Sequence, residues 1–423
     1  MAPVQCENSS VALHQLKGTP LPLHLFPDGP KTSGQHPPIC EQVKPFSDFP
    51  KEITGRTVWK AEDYTNNPEK WMHRFSQAQI AELSQAADAF LEARISLTVL
   101  NLDRRNGRVR VPKSARGISN PRISIPQSNF PLPKLSSFLA ELREDIINGR
   151  GFILFKGFPV EQWGNHKSAV AYMGLGTYLG YFVSQNGRGH VLGHVKDLGE
   201  DSTQTDKVRI YRTNARQFFH TDDSDIVGLL CITKALEGGE SDIVSTHLVY
   251  NVIAKTRPDV LETLTKPIWY IDRKGETSIG QEEYIRACIF YVEPKEDGRV
   301  FAKWDPYFVR SLTRFSDKGI IPPLSPAQLE ALTVLEETCL RLALHMVLDV
   351  GDIQFLANSH ILHARTEYKD YPPPAPRRHL MRLWLATPES KGGWTLPFWD
   401  TNEKKRGGIQ VNNQPPVALL DAD

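Results

Sequence analysis

The second half of the chain contains many short segments of strand-forming residues, and this pattern limits the choice of fold more than any other feature of the sequence. The segments are rich in β-branched and aromatic residues and are separated by turn residues, which is typical of a β-sandwich or barrel. They lie at 208–213, 226–233, 243–246, 268–272, 287–293, 300–304, 353–356 and 380–385. We therefore expect a core built from many short strands.

Helical periodicity precedes and interrupts these strands. Four helices are predicted, at 77–93, 135–148, 168–179 and 326–344. The first and the last of these helices are expected to begin after Ser76 and Ser325. A serine hydroxyl at this position can accept a hydrogen bond from a free backbone N–H group of the first helical turn. Pro326 suits the first turn of the last helix. Strands and helices together predict an α+β fold with a jelly-roll core, flanking helices and an N-terminal extension.

The ends of the chain differ in composition from its middle. Residues 1 to about 50 are dense in proline and have no sustained apolar period, so they are expected to form an extended arm. We expect an N-terminal arm and helical extension over 1–130, one catalytic domain over 131–400 and a C-terminal tail over 401–423. An arm of this kind can cross to a second copy, so the sequence is compatible with a homodimer.

Charge and cysteine content exclude several classes of protein. The chain has 50 basic and 49 acidic residues without charged blocks, which argues against nucleic acid or an anionic membrane surface as partner. Its 5 cysteines form no C-x-x-C motif, so free thiols in a reducing compartment are expected. Because no signal peptide or membrane-spanning segment is recognisable, we expect a cytoplasmic protein that binds a small molecule.

A histidine and an aspartate in the segment 219–225 suggest a metal site. Alternate residues of a strand point to the same face, so His220 and Asp222 can offer a nitrogen and an oxygen to one ion. Two histidines and one carboxylate leave half of an octahedron open, as non-haem Fe(II) enzymes require. A surface strand whose aspartate caps a backbone group is the alternative, because a chain with 13 histidines contains such pairs by chance.

Two further histidines compete for the third position. His360 and His363 are three residues apart, so on a strand they face opposite ways and only one could reach the metal. A histidine in such an apolar run can also be a core residue with satisfied hydrogen bonds. The residue pattern alone leaves both assignments open.

Arginines stand in a segment that otherwise resembles a buried strand. Arg378 and Arg382 are four residues apart and so face the same side of that strand. A buried guanidinium needs an anion, and a dicarboxylate ligand can accept two parallel hydrogen bonds from it. An internal salt bridge is the alternative.

A polar, glycine-bearing segment at 184–199 precedes the histidine motif and has no clear period. It is expected to be either a lid over the site or an ordinary surface excursion. Tyr181, Asn214 and Phe219 are candidates for lining the substrate pocket, because they lie near the site segments in the sequence.

Several short motifs, in this order and spacing, give the chain a family resemblance between Gly151 and Pro388. They are Gly-Arg-Gly-Phe-Ile-Leu-Phe-Lys-Gly-Phe-Pro (149–159), Phe-His-Thr-Asp-Asp-Ser-Asp (219–225), Gly-Gly-Glu-Ser (238–241), Gly-Asp-Ile-Gln-Phe (351–355), Ile-Leu-His-Ala-Arg (361–365) and Arg-Arg-His-Leu-Met-Arg (377–382). The chain resembles the TauD/TfdA family of Fe(II)- and 2-oxoglutarate-dependent dioxygenases, which has the clavaminate-synthase-like, double-stranded β-helix fold.

The resemblance implies a role for each candidate residue. It places His220, Asp222 and His363 at the iron-ligand positions and makes His360 structural, with no catalytic residue beyond the ligands.

For the cosubstrate, the resemblance places Arg378 where the family binds the distal carboxylate of 2-oxoglutarate. Ser241 replaces a threonine whose hydroxyl helps to hold that molecule. Arg382 stands where the taurine enzyme binds its anionic substrate. It is also close enough to Arg378 to contact the cosubstrate instead.

The implied reaction uses Fe(II), 2-oxoglutarate and O2 to hydroxylate, desaturate or cyclise a small molecule, releasing succinate and CO2. The resemblance to fungal-type members implies specialised metabolism. A metal-bound binding protein of the same fold is the alternative function, and a jelly-roll carbohydrate-binding protein is a weaker one that would have no use for a buried Arg378.

Overall fold

A sheet of seven strands and a sheet of four strands form the core of the computed structural model. The structure describes residues 43–92, 130–279, 281–396, 408–409 and 411–412. Its strands are β1 (Met72–Arg74), β2 (Phe152–Lys156), β3 (Tyr181–Phe182), β4 (Leu192–Lys196), β5 (Gln217–His220), β6 (Ile226–Thr233), β7 (Glu237–Gly238), β8 (Ser241–Ser245), β9 (Trp269–Asp272), β10 (Tyr284–Ala287), β11 (Phe290–Val292), β12 (Val300–Ala302), β13 (Leu344–Met346), β14 (Ile353–Ala357), β15 (Ile361–Arg365), β16 (Tyr368–Lys369) and β17 (His379–Ala386).

The helices lie between and outside these strands. They are α1 (Glu62–Thr65), α2 (Gln77–Glu92), α3 (Ser136–Asn148), α4 (Val160–Gly176), α5 (Thr246–Thr256), α6 (Pro258–Thr265), α7 (Pro306–Arg310), α8 (Thr313–Ser316) and α9 (Pro326–Leu342). The α+β class expected from the sequence is therefore confirmed.

Both large sheets join strands that are distant in the sequence. The seven-stranded sheet has the order β1-β2-β14-β6-β17-β3, and β4 also pairs with β17. The four-stranded sheet has the order β13-β8-β15-β5. Three further strand pairs, β9 with β10, β11 with β12 and β7 with β16, extend the structure around this core.

The two sheets pack face to face, and β17 shows how. Leu380 and Trp384 belong to one apolar cluster that also contains Ile243 of β8 and Ile361 of β15. Met381 points the opposite way, into the cluster that contains the helices. Because successive side chains alternate between the two faces of a strand, Arg382 lies on the inner face, between the sheets.

Local capping signals predicted two helices well. The Ser76 hydroxyl accepts a hydrogen bond from the Gln79 backbone N–H at 3.3 Å, and the Gln79 side chain accepts one from Ser76 N–H at 2.9 Å. Ser325 and Gln328 form the same reciprocal pair at the start of α9. Such a pair satisfies two free backbone donors, which is why both helices begin where the sequence predicts.

Other local predictions were wrong. The third predicted helix begins earlier, at Val160, and is kinked at Gly164, where φ is 69°. The strand expected at 208–213 is a short 3-10 turn, Ile210–Arg212. Val208 and Ile210 are buried without joining a sheet, and the Val208 carbonyl instead accepts a hydrogen bond from the Tyr307 hydroxyl at 2.7 Å.

The segment 184–199 contains strand β4 and is therefore not an irregular surface excursion, whereas the lid stays a prediction. β4 pairs with β17 from Leu192 opposite Leu383 to Lys196 opposite His379. Gln185, which precedes it, is buried and donates from Nε2 to the carbonyl oxygens of Val191 and Arg382, at 2.8 Å each. Gln185, one of the polar residues that hide the strand pattern, is thus part of the interior.

The described part of the N-terminal region packs against the core. β1 pairs in parallel with β2, and Phe75 stacks on Phe155 with ring centroids 4.8 Å apart. Most of the predicted arm (residues 1–42), residues 93–129 and most of the predicted tail lie outside the described residues. The domain boundaries, the cytoplasmic location and the homodimer stay predictions.

Two predictions from composition can be compared with the described residues. Cys231 and Cys339 are buried free thiols, as expected, and Cys288 is buried as well, whereas Cys6 and Cys40 lie outside the described residues. No helix within the described ranges is long and apolar enough to cross a membrane.

The turn before β14 provides a test of the fold. Gly351 has φ +83°, and a Cβ there would collide with the Phe158 carbonyl group. We expect Gly351→Ala to lower the free energy of unfolding by at least about 2 kcal/mol, because it adds this collision to the strain of positive φ. Gly199 has φ +77° and open space around it, so Gly199→Ala should cost only ~1 kcal/mol. Equal losses for the two variants in urea unfolding would contradict the assignment of a close approach at Gly351.

Candidate metal centre and adjoining cavity

Strand pairing in the four-stranded sheet brings the two histidines together. β15 runs antiparallel to β5, with His363 directly opposite His220, and their ring centroids are 4.1 Å apart. β5 ends at His220, so Asp222 is not placed by the alternation expected from the sequence. Instead, the Asp222 backbone N–H donates to the Asn358 side chain at 3.0 Å, which fixes the turn that carries the carboxylate.

The three side chains form a compact donor set. One ligand atom from each of His220, Asp222 and His363 lies within 4.8 Å of the other two, and all three residues are buried. His363 Nε2 and Asp222 Oδ2 are 3.5 Å apart. Two imidazoles and one carboxylate at this spacing could hold a metal ion.

His360 lies outside this group. It is fully buried, its ring stacks on Trp394 at 5.3 Å between centroids, and its Nδ1 is 2.9 Å from the Ser359 hydroxyl. In the structure, His363 is therefore the histidine of this pair that lies beside His220 and Asp222.

Electrostatics favour the protonation states that metal ligands need. Burial, followed by the neighbouring His363, lowers the pKa of His220 to about 3, so its imidazole is neutral. Burial by itself raises the pKa of Asp222, but the positive charge of Arg382 and the hydrogen bond to His363 outweigh it, and the net pKa is lowered. A neutral imidazole and an ionised carboxylate are the forms that bind metals.

A hydrogen bond also orients the His220 ring. The His220 Nδ1 atom is 2.9 Å from the Phe218 carbonyl oxygen, which can only accept, so Nδ1 carries the proton. The lone pair is then on Nε2, which lies 2.9 Å from the amide nitrogen of Gln217. A backbone acceptor of this kind fixes the tautomer of a ligating histidine.

Arg378 borders the same cavity and has an unused donor. Its Nη2 donates to the Gly239 carbonyl oxygen at 2.9 Å, whereas its buried Nη1 has no hydrogen-bond acceptor among the described residues. Arg378, Ser241 and the three candidate ligands line one cavity. Because a buried donor without a partner is costly, an anion in this cavity would be stabilised there.

Arg382 is committed to protein partners. Its Nη1 donates to Asp222 Oδ1 at 3.2 Å, and its Nε donates to Gln185 Oε1 at 2.8 Å. The guanidinium carbon lies 4.9 Å from the Tyr211 ring centre and 4.8 Å from that of Trp384. The internal salt bridge that the sequence left open is therefore present at Arg382.

The sequence analysis missed a third arginine at this cavity. Arg365 Nη2 donates to the backbone oxygens of Thr213 and Ala215, but its buried Nε and Nη1 have no acceptor among the described residues. The guanidinium carbons of Arg365 and Arg378 lie 4.9 and 5.0 Å from the Tyr368 ring centre. Arg365 follows His363 by two residues on β15, so strand alternation could have identified it.

A second, larger cavity adjoins the first and shares Tyr211, Gln217, Asp222 and Arg382 with it. It combines apolar walls with charged side chains. The pocket-lining residues proposed from sequence proximity were wrong, because neither cavity is lined by Tyr181, Asn214 or Phe219. Phe219 belongs to the core, and Asn214 is exposed on the surface.

One carboxyl group of this second cavity has an unusual environment. The pKa of Asp305 is raised to about 7, mainly by burial and also by the negative charges of Asp222 and Asp223. The Tyr307 backbone N–H, which donates to Asp305 Oδ1 at 2.8 Å, and the charge of Lys274 lower it in part.

Comparison with known proteins gives matches along most of the chain. The model of the family described as "Taurine catabolism dioxygenase TauD, TfdA family" matches residues 115–384. FR-33289 synthase of Streptomyces rubellomurinus is 28% identical over 342 residues, which are 79% of this chain and 90% of the relative. Taurine hydroxylase-like protein SAT17 of Stachybotrys chartarum is 27% identical over 355 residues, 82% of each chain.

Solved structures resemble the fold at low sequence identity. An asparagine oxygenase in complex with Fe(II), hydroxyasparagine and succinate has a TM-score of 0.51 and 15% identity, covering 74% of this chain and 93% of that one. The oxygenase OrfP in complex with Fe and alpha-ketoglutaric acid has a TM-score of 0.52 and 15% identity, covering 74% and 94%. Identity at this level supports the shared fold alone.

Proposed function

Because the chain belongs to the TauD, TfdA family of dioxygenases, whose model matches more than half of it, we propose that it oxidises a small-molecule substrate with release of succinate and CO2. The protein is an Fe(II)- and 2-oxoglutarate-dependent dioxygenase. The observation that carries the proposal is the buried donor set of His220, Asp222 and His363, which shares one cavity with the unpaired Nη1 of Arg378. Hydroxylation, desaturation and oxidative cyclisation all fit this site, and a role in specialised metabolism stays a prediction.

In this proposal His220, Asp222 and His363 would hold the iron. Two imidazole nitrogens and one carboxylate oxygen from the protein would leave further positions on the iron open for 2-oxoglutarate and O2. Bound iron supplies the activation of O2 and the oxidation of the substrate. The protein positions the ligands of the iron. The Phe218 carbonyl oxygen orients His220, and Arg382 orients Asp222 through its ion pair.

Arg378 and Ser241 are proposed to bind the cosubstrate. The unused Nη1 donor of Arg378 can pair with the distal carboxylate of 2-oxoglutarate, and the Ser241 hydroxyl, now 3.2 Å from Gln354 Oε1, lies in the same cavity. Arg382 borders this cavity as well, so it is proposed to lie beside the cosubstrate. Charge-assisted, planar pairing is the reason why arginine suits such a position.

We also infer that the two-sheet core is a double-stranded β-helix. The face-to-face packing of the seven-stranded and four-stranded sheets supports this assignment.

The overall proposal is tested with Fe(II) and 2-oxoglutarate alone. Anaerobic addition of both to the purified protein should give a visible metal-to-ligand charge-transfer band, because both would bind at one centre. Admission of O2 should then give succinate, even without substrate, at a slow rate. A protein that binds iron but gives neither band nor succinate would be the non-catalytic binding protein of the same fold.

The donor set is tested by removing one ligand at a time. His220→Ala, Asp222→Ala and His363→Ala should each lose iron and succinate formation, because three protein ligands are the minimum for this open site. Iron content after anaerobic loading and desalting is the measurement. His360→Ala is the control: it should lower stability, since the ring packs on Trp394, yet retain iron. Iron loss in His360→Ala with retention in His363→Ala would reverse the assignment.

The proposed contact between Arg378 and 2-oxoglutarate is tested by substituting Arg378 and, as a control, the neighbouring Arg377. Arg378→Lys keeps the charge but loses the planar fork, so the affinity for 2-oxoglutarate should fall about 10- to 100-fold, or ~1–3 kcal/mol. Anaerobic calorimetry with Fe(II) measures it. Arg377 is exposed and donates to the Asp197 carbonyl oxygen at 2.8 Å, so Arg377→Lys is the matched control and should bind normally. Unaltered binding by Arg378→Lys would show that another residue holds the carboxylate.

A further inference from the structure

The turn that carries the candidate ligand Asp222 is held by a segment that is distant in the sequence. The Thr221 backbone N–H donates to the Trp304 carbonyl oxygen at 2.7 Å, and the Trp304 N–H donates to the Thr221 hydroxyl at 3.0 Å. Both residues are buried. The chain that follows β12 therefore lies directly against this turn, one residue away from Asp222.

Lys303, which precedes Trp304, reaches the same turn with its side chain. Its Nζ donates to the Asp222 carbonyl oxygen at 3.0 Å and forms an ion pair with the Asp223 carboxylate. The ammonium group thus binds two consecutive residues of the turn. Lys303 is only 5% exposed, and it lines the larger cavity beside the donor set.

Stability alone is a poor reason for a buried lysine at this position. Removing an ammonium group from water is costly, and replacing a buried ion pair by well-packed apolar side chains is often neutral or stabilising. The Asp223 side chain is 28% exposed, so water could solvate its carboxylate instead. An apolar side chain at position 303 would be the less costly way to fill this space. What the lysine provides is a fixed position for the turn.

The position of Asp222 depends on contacts to three of its groups. Its backbone N–H donates to the Asn358 side chain at 3.0 Å, and its Oδ1 accepts a hydrogen bond from Arg382 at 3.2 Å. Its carbonyl oxygen accepts the hydrogen bond from Lys303. Without the lysine the peptide group that follows Asp222 can rotate, which moves the carboxylate relative to the two histidines of the donor set.

We propose that Lys303 is a positioning residue for the iron and that, from the wall of the larger cavity, it holds Asp222 in the orientation that the metal needs. This inference rests on the proposed function and adds a residue to the same site. Lys303 does not bind the metal itself, because a protonated ammonium group has no lone pair to offer. It acts through Asp222, as residues that orient the ligands of a metal do.

The variant Lys303→Met keeps most of the side-chain volume and removes the ammonium group. Its affinity for Fe(II), measured by anaerobic calorimetry, should fall about 10- to 100-fold. The charge-transfer band formed with Fe(II) and 2-oxoglutarate should shift, because a displaced carboxylate changes the ligand field of the iron. The metal-free variant should also unfold at a lower temperature, since Asp223 loses its partner.

A double variant separates positioning from stability. Lys303→Met combined with Asp223→Asn removes both charges, so the unfolding temperature of the metal-free protein should return toward that of the wild-type protein. The hydrogen bond to the Asp222 carbonyl oxygen is still missing, so the affinity for Fe(II) should stay low. An Fe(II) affinity that recovers together with the unfolding temperature would show a merely structural role for Lys303 and overturn the proposal.

Lys156→Met is the matched control. The Lys156 ammonium group is also paired with aspartates, Asp352 and Asp349, but it lines neither of the two cavities. This variant should unfold at a lower temperature yet keep the Fe(II) affinity and the position of the band. Unchanged Fe(II) affinity in Lys303→Met, or equal losses in Lys303→Met and Lys156→Met, would contradict the assignment. Succinate formation by the wild-type protein decides the dioxygenase proposal separately.

Discussion

The register between β5, β15 and β8 is the constraint on which the site depends. It sets His363 opposite His220 on one side and, on the other, Arg365 opposite Ser241. A slip of one residue would turn His363 to the other face of the sheet. It would also separate the arginine from the hydroxyl. One pairing register therefore assembles both the candidate metal centre and the wall of the cavity that is proposed to hold the cosubstrate.

Buried charge is the second feature that organises this region. Arg365, Arg378 and Arg382 are all buried on the inner side of the two sheets, where an unpaired guanidinium is costly. Only Arg382 has a carboxylate partner within the described part of the chain, Asp222. The other two retain unused donors beside one cavity. The protein thus holds positive charge ready for an anion, and a dicarboxylate cosubstrate would complete these hydrogen bonds.

The adjoining cavity has a mixed character. Four acidic side chains at its wall, those of Asp222, Asp223, Asp272 and Glu276, form ion pairs. Asp222 and Arg382 line both cavities and so lie at their boundary. Two neighbouring cavities of this kind can bind two different molecules in fixed orientation beside one candidate metal centre.

The sequence by itself determined the features that depend on neighbouring residues. Reciprocal capping at Ser76 and Ser325 defined two helix starts, and alternation correctly gave β17 an inward-facing Arg382. The family motifs also pointed to the residues that meet at the site. Only the tertiary structure decided how they meet. Asp222 is placed by a hydrogen bond to the distant Asn358 and not by strand alternation.

The dependence on tertiary contacts also explains other differences between the predicted and the observed structure. The segment that contains β4 has no strand pattern in the sequence, and its buried Gln185 donates to the carbonyl oxygens of Val191, in the same segment, and of Arg382, in β17. Local patterns specify which residues can form an element or bind a metal. Long-range pairing and burial specify which of them meet, because those energies exist only between residues that folding brings together.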